Sequence, residues 1–265
     1  MRKYFAVAAV LFKAQITYRF DVILNAAATI WRVLFAWVLW GAIFNGRGYV
    51  GGFTFQAMLS YYVVSSFIGS LDLSQGVSGE ISSRIRGGTF SKYMVIPSRP
   101  QTHFIFQNFG AGLYYALFTV LAAVFCVAAF RIELNLADSL VSYLCAAAMV
   151  PAGLAFMVGY HFLFGVCAFK FEDIGFFWHM QGAVVEFLTG ALIPLSLLPE
   201  QVTAVLRYLP FTYVNYMPAM LITSRAGAGE GLFGLAVITV WGVLVMTTGQ
   251  LLYDRLRIKY DGVGI

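Results

Sequence analysis

The chain has 265 residues, 60% of them hydrophobic and 11% charged, with a formal net charge of +5. A soluble domain carries about 25% charged residues, so the charges here cannot cover a water-facing surface, and the composition is that of an integral membrane protein. The basic residues lie between apolar runs, which makes membrane topology, and not nucleic acid, the explanation of the positive balance.

The first 20 residues, MRKYFAVAAVLFKAQITYRF, hold an apolar stretch from Phe5 to Phe12 that Lys13, Gln15 and Arg19 interrupt. No small-residue cleavage site follows, so this is not a signal peptide. Phe5, Phe12 and Ile16 share one helical face, and Lys3, Lys13 and Thr17 another. The pattern predicts an amphipathic helix over 1–20, lying on the inner surface against membrane lipids.

A crossing helix needs about 20 largely apolar residues. Segments 22–44, 53–73, 104–130, 139–168, 174–198 and 232–252 meet that length, which predicts an all-α polytopic membrane protein of six transmembrane helices. Residues 201–223 are also apolar but contain Arg207, Pro210 and Pro218. The prolines cut them into pieces too short to cross. They read as broken helices in an outer re-entrant segment, 199–223, between spans five and six.

Charge sets the orientation. With six spans and both ends inside, Arg2, Lys3, Lys13, Arg19, Arg84, Arg86, Lys92, Arg99, Lys170, Arg255, Arg257 and Lys259 are cytoplasmic. Only Arg47, Arg131, Arg207 and Arg225 are outside, as the positive-inside rule requires. Seven spans would move Arg255, Arg257 and Lys259 outside. Residues 1–265 then form one membrane domain with no soluble domain.

The largest inner loop is 79–100, GEISSRIRGGTFSKYMVIPSRP. Gly87 and Gly88 are placed to end a short helix or turn, and Pro97 and Pro100 to set the entry into span three. Phe90, Tyr93 and Met94 recur at helical spacing beside Lys92 and read as exposed anchors for a protein partner. The competing reading is a membrane-hugging loop whose basic residues simply hold the topology.

Inside the membrane a charge costs about 2.5–3.5 kcal/mol on insertion scales and usually finds a partner. Arg32 in span one and Glu186 in span five fall at similar depth and are expected either to pair, within one subunit or across a dimer, or, if span one starts later, to leave Arg32 snorkelling to the inner surface. His179, Gly182, Ala183, Glu186 and Gly190 share one face of span five, a helix-packing seam at a dimer contact or a substrate-facing stripe. In span four, Pro151 is expected to kink the helix, and His161 reads as a hydrogen-bonded packing residue.

Several chemistries lack their residues. His103, His161 and His179 stand on separate segments without metal-ligand spacing, and Cys126, Cys145 and Cys167 sit singly in apolar runs. No GxxxxGK[ST] phosphate loop and no GxSxG or HExxH motif occurs, and the Gly-rich RAGAGEG (Arg225 to Gly231) reads as an outer turn. The chain is therefore expected to be no enzyme and to hold no cofactor.

Three stretches resemble the permease subunits of ABC type-2 exporters. They are Glu80 followed by IRGGTFSKYMVIPSRP, with Gly87, Gly88 and Pro97 spaced alike; GALIPLSLLPEQVTAVLRYLPFTYVNYMP, with Pro194, Pro199, Pro210 and Pro218 like the family's turn and re-entrant segment; and the tail RIKYDGVGI. The resemblance implies a dimer with a second, identical or related, permease and two ATP-binding subunits that carry ATP and Mg. It implies that a short coupling helix within 79–100, with Glu80, Arg84, Arg86, Gly87, Gly88, Phe90, Lys92, Tyr93, Met94 and Pro97, docks on the ATPase. It also implies that spans two and five border the path, which brings Gln56, Ser60, Tyr61 and Tyr62 to it. The expected function is export of hydrophobic or amphipathic cargo across a bacterial inner membrane. The alternatives are an ion-coupled secondary transporter using Arg32, His161, His179 and Glu186, against which no inverted repeat is evident, and an intramembrane enzyme using His179 and Glu186.

Overall fold

The computed structural model describes residues 2–95, 99–171 and 175–259. Among them every regular element is a helix, apart from one isolated antiparallel bridge between Val50 and Phe53. Four helices are long and apolar enough to cross a membrane: α2 (Arg19–Phe44), α6 (Pro100–Ala129), α7 (Leu140–Val166, continued by a 3₁₀ turn to Phe169) and α11 (Ala228–Leu256). At about 1.5 Å per residue they run roughly 39–45 Å, beyond the ~30 Å hydrocarbon thickness. The remaining elements are α1 (Arg2–Ala14), α3 (Phe55–Ser70), α4 (Gln75–Arg86), α5 (Ser91–Val95), α8 (Gly175–Leu188), α9 (Glu200–Leu206) and α10 (Tyr216–Ile222).

Two of the six expected spans are shorter than the sequence suggests. In place of 53–73 stands α3, with 16 residues. It starts where the Thr54 side chain accepts a hydrogen bond from the Ala57 amide (3.2 Å), an N-cap. It stops before Asp72, whose carboxylate accepts from the Ser74 amide (2.9 Å) and turns the chain into α4. In place of 174–198, α8 ends at Leu188, because Gly190 has a φ of +75° and carries the chain out of the helix. Each covers only about 21–24 Å.

Burial shows how α3 lives with its length. Eleven of its 16 residues are buried, whereas the 26-residue α2 buries only six. α3 is a central helix wrapped by protein. The long helices expose large apolar side chains: Trp31, Phe35 and Val38 on α2, Leu113, Leu121 and Phe125 on α6, and Val240, Val243 and Leu251 on α11.

One core joins α7 to α11, where Met149, Phe156 and Met157 pack with Tyr213, Ile238 and Val245. Another gathers Trp40, Phe44, Phe53, Tyr61, Tyr62 and Tyr216 between α2, α3 and the 189–226 region. Helix α7 runs continuously through Pro151. The 201–223 stretch is broken as read: α9, a 3₁₀ turn opening at Pro210, then α10 with Pro218 inside it.

The amphipathic start is a helix, α1, none of whose residues is buried. Its aromatic side lies along α6: Tyr4 stacks on Phe106 (centroids 5.3 Å), Phe5 meets Phe106 edge-on (5.5 Å) and Phe12 meets Tyr114 (5.3 Å). Backbones nearly touch at Gly110, where a Cβ would stand 2.1 Å from the Ala8 carbonyl oxygen. Only a residue without a side chain permits this approach. Gly110→Val is expected to push α1 off α6 and to lower stability by about 1–3 kcal/mol, the usual cost of overpacking. Thermal unfolding in detergent and faster proteolysis between α1 and α2 would register it, with Gly41→Val, which meets nothing within 4 Å, as the neutral control.

Candidate functional site: the helical hairpin and the polar groove

The stretch quoted from 79–100 folds as a helical hairpin. Gly87 caps α4, and Gly88, with a φ of +68°, reverses the chain so that the Thr89 and Phe90 amides both donate to the Arg84 carbonyl (2.9 and 3.1 Å). Glu80 sits at its polar centre. Its Oε1 accepts from Arg84 Nε (2.9 Å) and from the Tyr93 hydroxyl (2.7 Å), tying α4 to α5. Burial, and then the Glu80 carboxylate accepting its proton, push the Tyr93 phenol well above its usual range.

The aromatic residues expected to be exposed anchors are not exposed. Phe90 is 0% and Tyr93 4% accessible. Phe90 packs against Phe169 (5.3 Å), Tyr253 (6.2 Å) and Tyr93 (5.4 Å), and Tyr93 against Phe104 (5.1 Å) and His103 (5.8 Å). The reading failed because large apolar side chains flanking a Gly-Gly turn fold back onto the nearest apolar surface, here the inner ends of α6, α7 and α11. Along the hairpin Gln75, Ser83, Arg86, Thr89, Lys92 and Val95 are exposed, with Arg84 and Met94 half-buried. Lys92 lies over the Tyr93 ring (4.8 Å). Pro97 lies outside the described residues. Tyr253 and Phe169, which complete the cluster, were invisible as site residues because each sits in an apolar run like many others.

Ile81 of α4 is 0% exposed and closes on Gly165 of α7, where a Cβ would stand 2.9 Å from that of Ile81. The hairpin is thus wedged into the bundle rather than hung from it. Phe90→Ala is expected to cost about 3–5 kcal/mol, as for a buried aromatic, and Lys92→Ala at most about 0.5 kcal/mol, both read from melting curves of the purified protein.

The span-two residues expected to border a path hydrogen-bond to backbone within the chain. Ser60, 0% exposed, donates to the Glu133 carbonyl (2.9 Å), and the Gln56 side-chain oxygen accepts from the Glu133 amide (3.2 Å). Tyr61 donates to the Gly190 carbonyl (2.7 Å) and Tyr62 to that of Leu192 (2.6 Å). These carbonyls and amides lie in non-helical stretches that have no ladder of their own, and in an apolar medium they need partners. Of the four side chains, Tyr62 also lines a groove described below. Tyr61→Phe leaves a buried carbonyl unpaired and is expected to destabilise by about 1–3 kcal/mol, seen as a lowered melting temperature without loss of helical circular dichroism.

The span-five stripe is partly dismantled. Gly190 is not on the helical face, since α8 has ended and its positive φ places it in the turn, where a Cβ would meet Tyr216 Cβ at 2.9 Å. Gly182 has no described neighbour within 4 Å of a Cβ, and Ala183 is exposed. The His179 side chain lies outside the described residues. His161, 1% exposed, has Gln181 Nε2 3.5 Å from its Nδ1, the polar contact of a packing histidine.

Arg32 and Glu186 are brought to one place but no ion pair joins them. Both line two adjoining cavities of about 360 and 400 Å³ that also share Gly69, Ala191 and Asn215. The guanidinium turns onto the last turn of α3, Nη1 standing 3.8 Å from where a Cβ on Gly69 would be, beside the Asn215 amide. Asn215 was not anticipated. It sits between Pro210 and Pro218, 3% exposed, its Nδ2 donating to Ser65 (2.9 Å) and its Oδ1 without a partner. The described residues hold no group of three or more His, Cys, Asp or Glu able to bind a metal.

Comparison with known proteins returns one finding: the family model described as ABC-2 family transporter protein matches residues 30–264. Neither the curated proteins nor the solved structures provide a match.

Proposed function

The chain belongs to the ABC-2 transporter family, whose members are membrane transport components working with ATP-binding subunits, and on that premise we propose that it is the permease subunit of an ATP-driven exporter. Four long apolar helices and the family make it a multi-pass membrane protein. In this reading α2, α3, α6, α7, α8 and α11 are six spans of a bacterial inner-membrane protein with both termini in the cytoplasm. The short α3 is accommodated because it is enclosed by protein, where irregular backbone at its ends is tolerated. Helix α1 rests on the inner face, and α9 and α10 dip into the outer one.

The observation that carries the proposal is the wedged hairpin. ATP and Mg belong to a separate subunit that grips α4 and α5. Because Phe90 and Ile81 are buried among residues of α6, α7 and α11, displacement of the hairpin moves those helices as a body instead of bending a loop. Two permeases, identical or related, then part to release a hydrophobic or amphipathic cargo outward. The exposed side chains Arg86 and Lys92 make the contact; the aromatic residues behind them transmit it.

Affinity purification from the native membrane is expected to bring down a Walker-type ATPase. The double charge reversal Arg86→Glu with Lys92→Glu should cut that recovery, and transport, by about tenfold or more, equivalent to ~1.4 kcal/mol of binding, with the melting temperature unchanged. Absence of any ATPase, or full recovery by the double variant, overturns the assignment. Cysteine labelling should reach Val95→Cys from the cytoplasm and Tyr49→Cys from outside, both side chains being exposed.

A further inference from the structure

The two cavities that meet at Arg32 form one groove with a gradient of chemistry along it. Its inner end is lined by Asn25 and Asp72. Its other end is lined by Trp31 and Phe35, both largely exposed. Asn25 to Leu39 on α2 is the length of this wall, about 21 Å at helical rise. Polar and aromatic ends on one continuous surface match the two ends of an amphipath.

At the junction, the charges face the groove without satisfying one another. Arg32 and Glu186 share both cavities, and neither makes an ion pair among the described residues. The carboxamide oxygen of Asn215, on a side chain that is 97% buried, has no donor. Asp72 adds a second carboxylate at the inner end, where it already accepts from the Ser74 amide. The groove therefore offers one fixed guanidinium, which calls for an anion, and several acceptors, which call for a strong hydrogen-bond donor.

We infer that this groove binds a zwitterionic amphipath: an anionic group on Arg32, an ammonium shared by Glu186 and the Asn215 oxygen, and an apolar tail along Trp31 and Phe35. A purely anionic ligand would face Glu186 and Asp72 unpaired, and a purely cationic one would leave Arg32 bare; one bearing both charges meets all of them. The inference rests on the transport reading for its purpose, since it names the class of cargo or lipid admitted, but the binding itself requires no ATPase.

The test is equilibrium binding of three single-chain probes to the purified permease in detergent: lysophosphatidylethanolamine, lysophosphatidylglycerol and dodecylamine. The zwitterion is expected to bind saturably and about tenfold or more tighter than either singly charged probe. Arg32→Gln and Glu186→Gln should each abolish that advantage, and Glu186→Gln should not weaken lysophosphatidylglycerol. Arg32→Lys should restore part of it. Trp31→Ala, on an exposed wall and safe for folding, should weaken all three probes alike. Equal binding of the three probes, or unchanged zwitterion affinity in both charge variants, overturns the inference. So does the absence of any binding to a dimer whose second copy fills the groove. An ATPase recovered by purification while the probes fail would leave the transport reading standing and remove only this one.

Discussion

Backbone polar groups in a hydrocarbon solvent must be paired, and this constraint organises the whole molecule. The chain leaves the helical ladder repeatedly between Arg131 and Ser139 and between Thr189 and Tyr216. At each break a side chain from a neighbouring element supplies the missing partner. Tyr61 and Tyr62 take the carbonyls of Gly190 and Leu192, and Ser60 and Gln56 take both groups of Glu133. Thr212 and Tyr213 take those of Leu206 and Arg207, and Trp241 that of Tyr208. Four polar side chains of α3, Gln56, Ser60, Tyr61 and Tyr62, thereby hold the backbone of these breaks.

This pairing explains why α3 is both short and central. A 16-residue helix cannot meet lipid on its own terms. Surrounded by α2, α6 and the broken outer helices, it has no need to, and its hydroxyls bind outward into the irregular segments around it. The same centrality places its last turn, Gly69 and Ser70, under the Arg32 guanidinium and against the groove.

At the hairpin end of the bundle the organising force is apolar burial. Phe90, Tyr93, Phe104, Phe162 and Tyr253 form a cluster whose members come from the hairpin and three long helices. A flexible loop would absorb a push from a partner. A hairpin packed at interior density passes it on, and Glu80, accepting from both Arg84 and Tyr93, keeps its two helices in register. In the proposed function, surface charge and buried aromatics divide the work of recognition and transmission.

Composition, apolar run length and the distribution of Lys and Arg determined that the chain is helical and membrane-embedded, because hydrocarbon accepts little else. The Gly and Pro intervals located the hairpin turn and the breaks in 201–223, since those residues act on the local backbone whatever surrounds them. Tertiary structure alone decided which way side chains face. It turned Phe90 and Tyr93 inward, assigned Gln56, Ser60, Tyr61 and Tyr62 to backbone carbonyls and amides, and took Gly190 off its helix. It also set Asn215 beside Arg32. None of these is periodic or local: each depends on a partner more than 70 residues away, or on one contributed by a different helix, and no spacing rule along a single chain reports such a meeting.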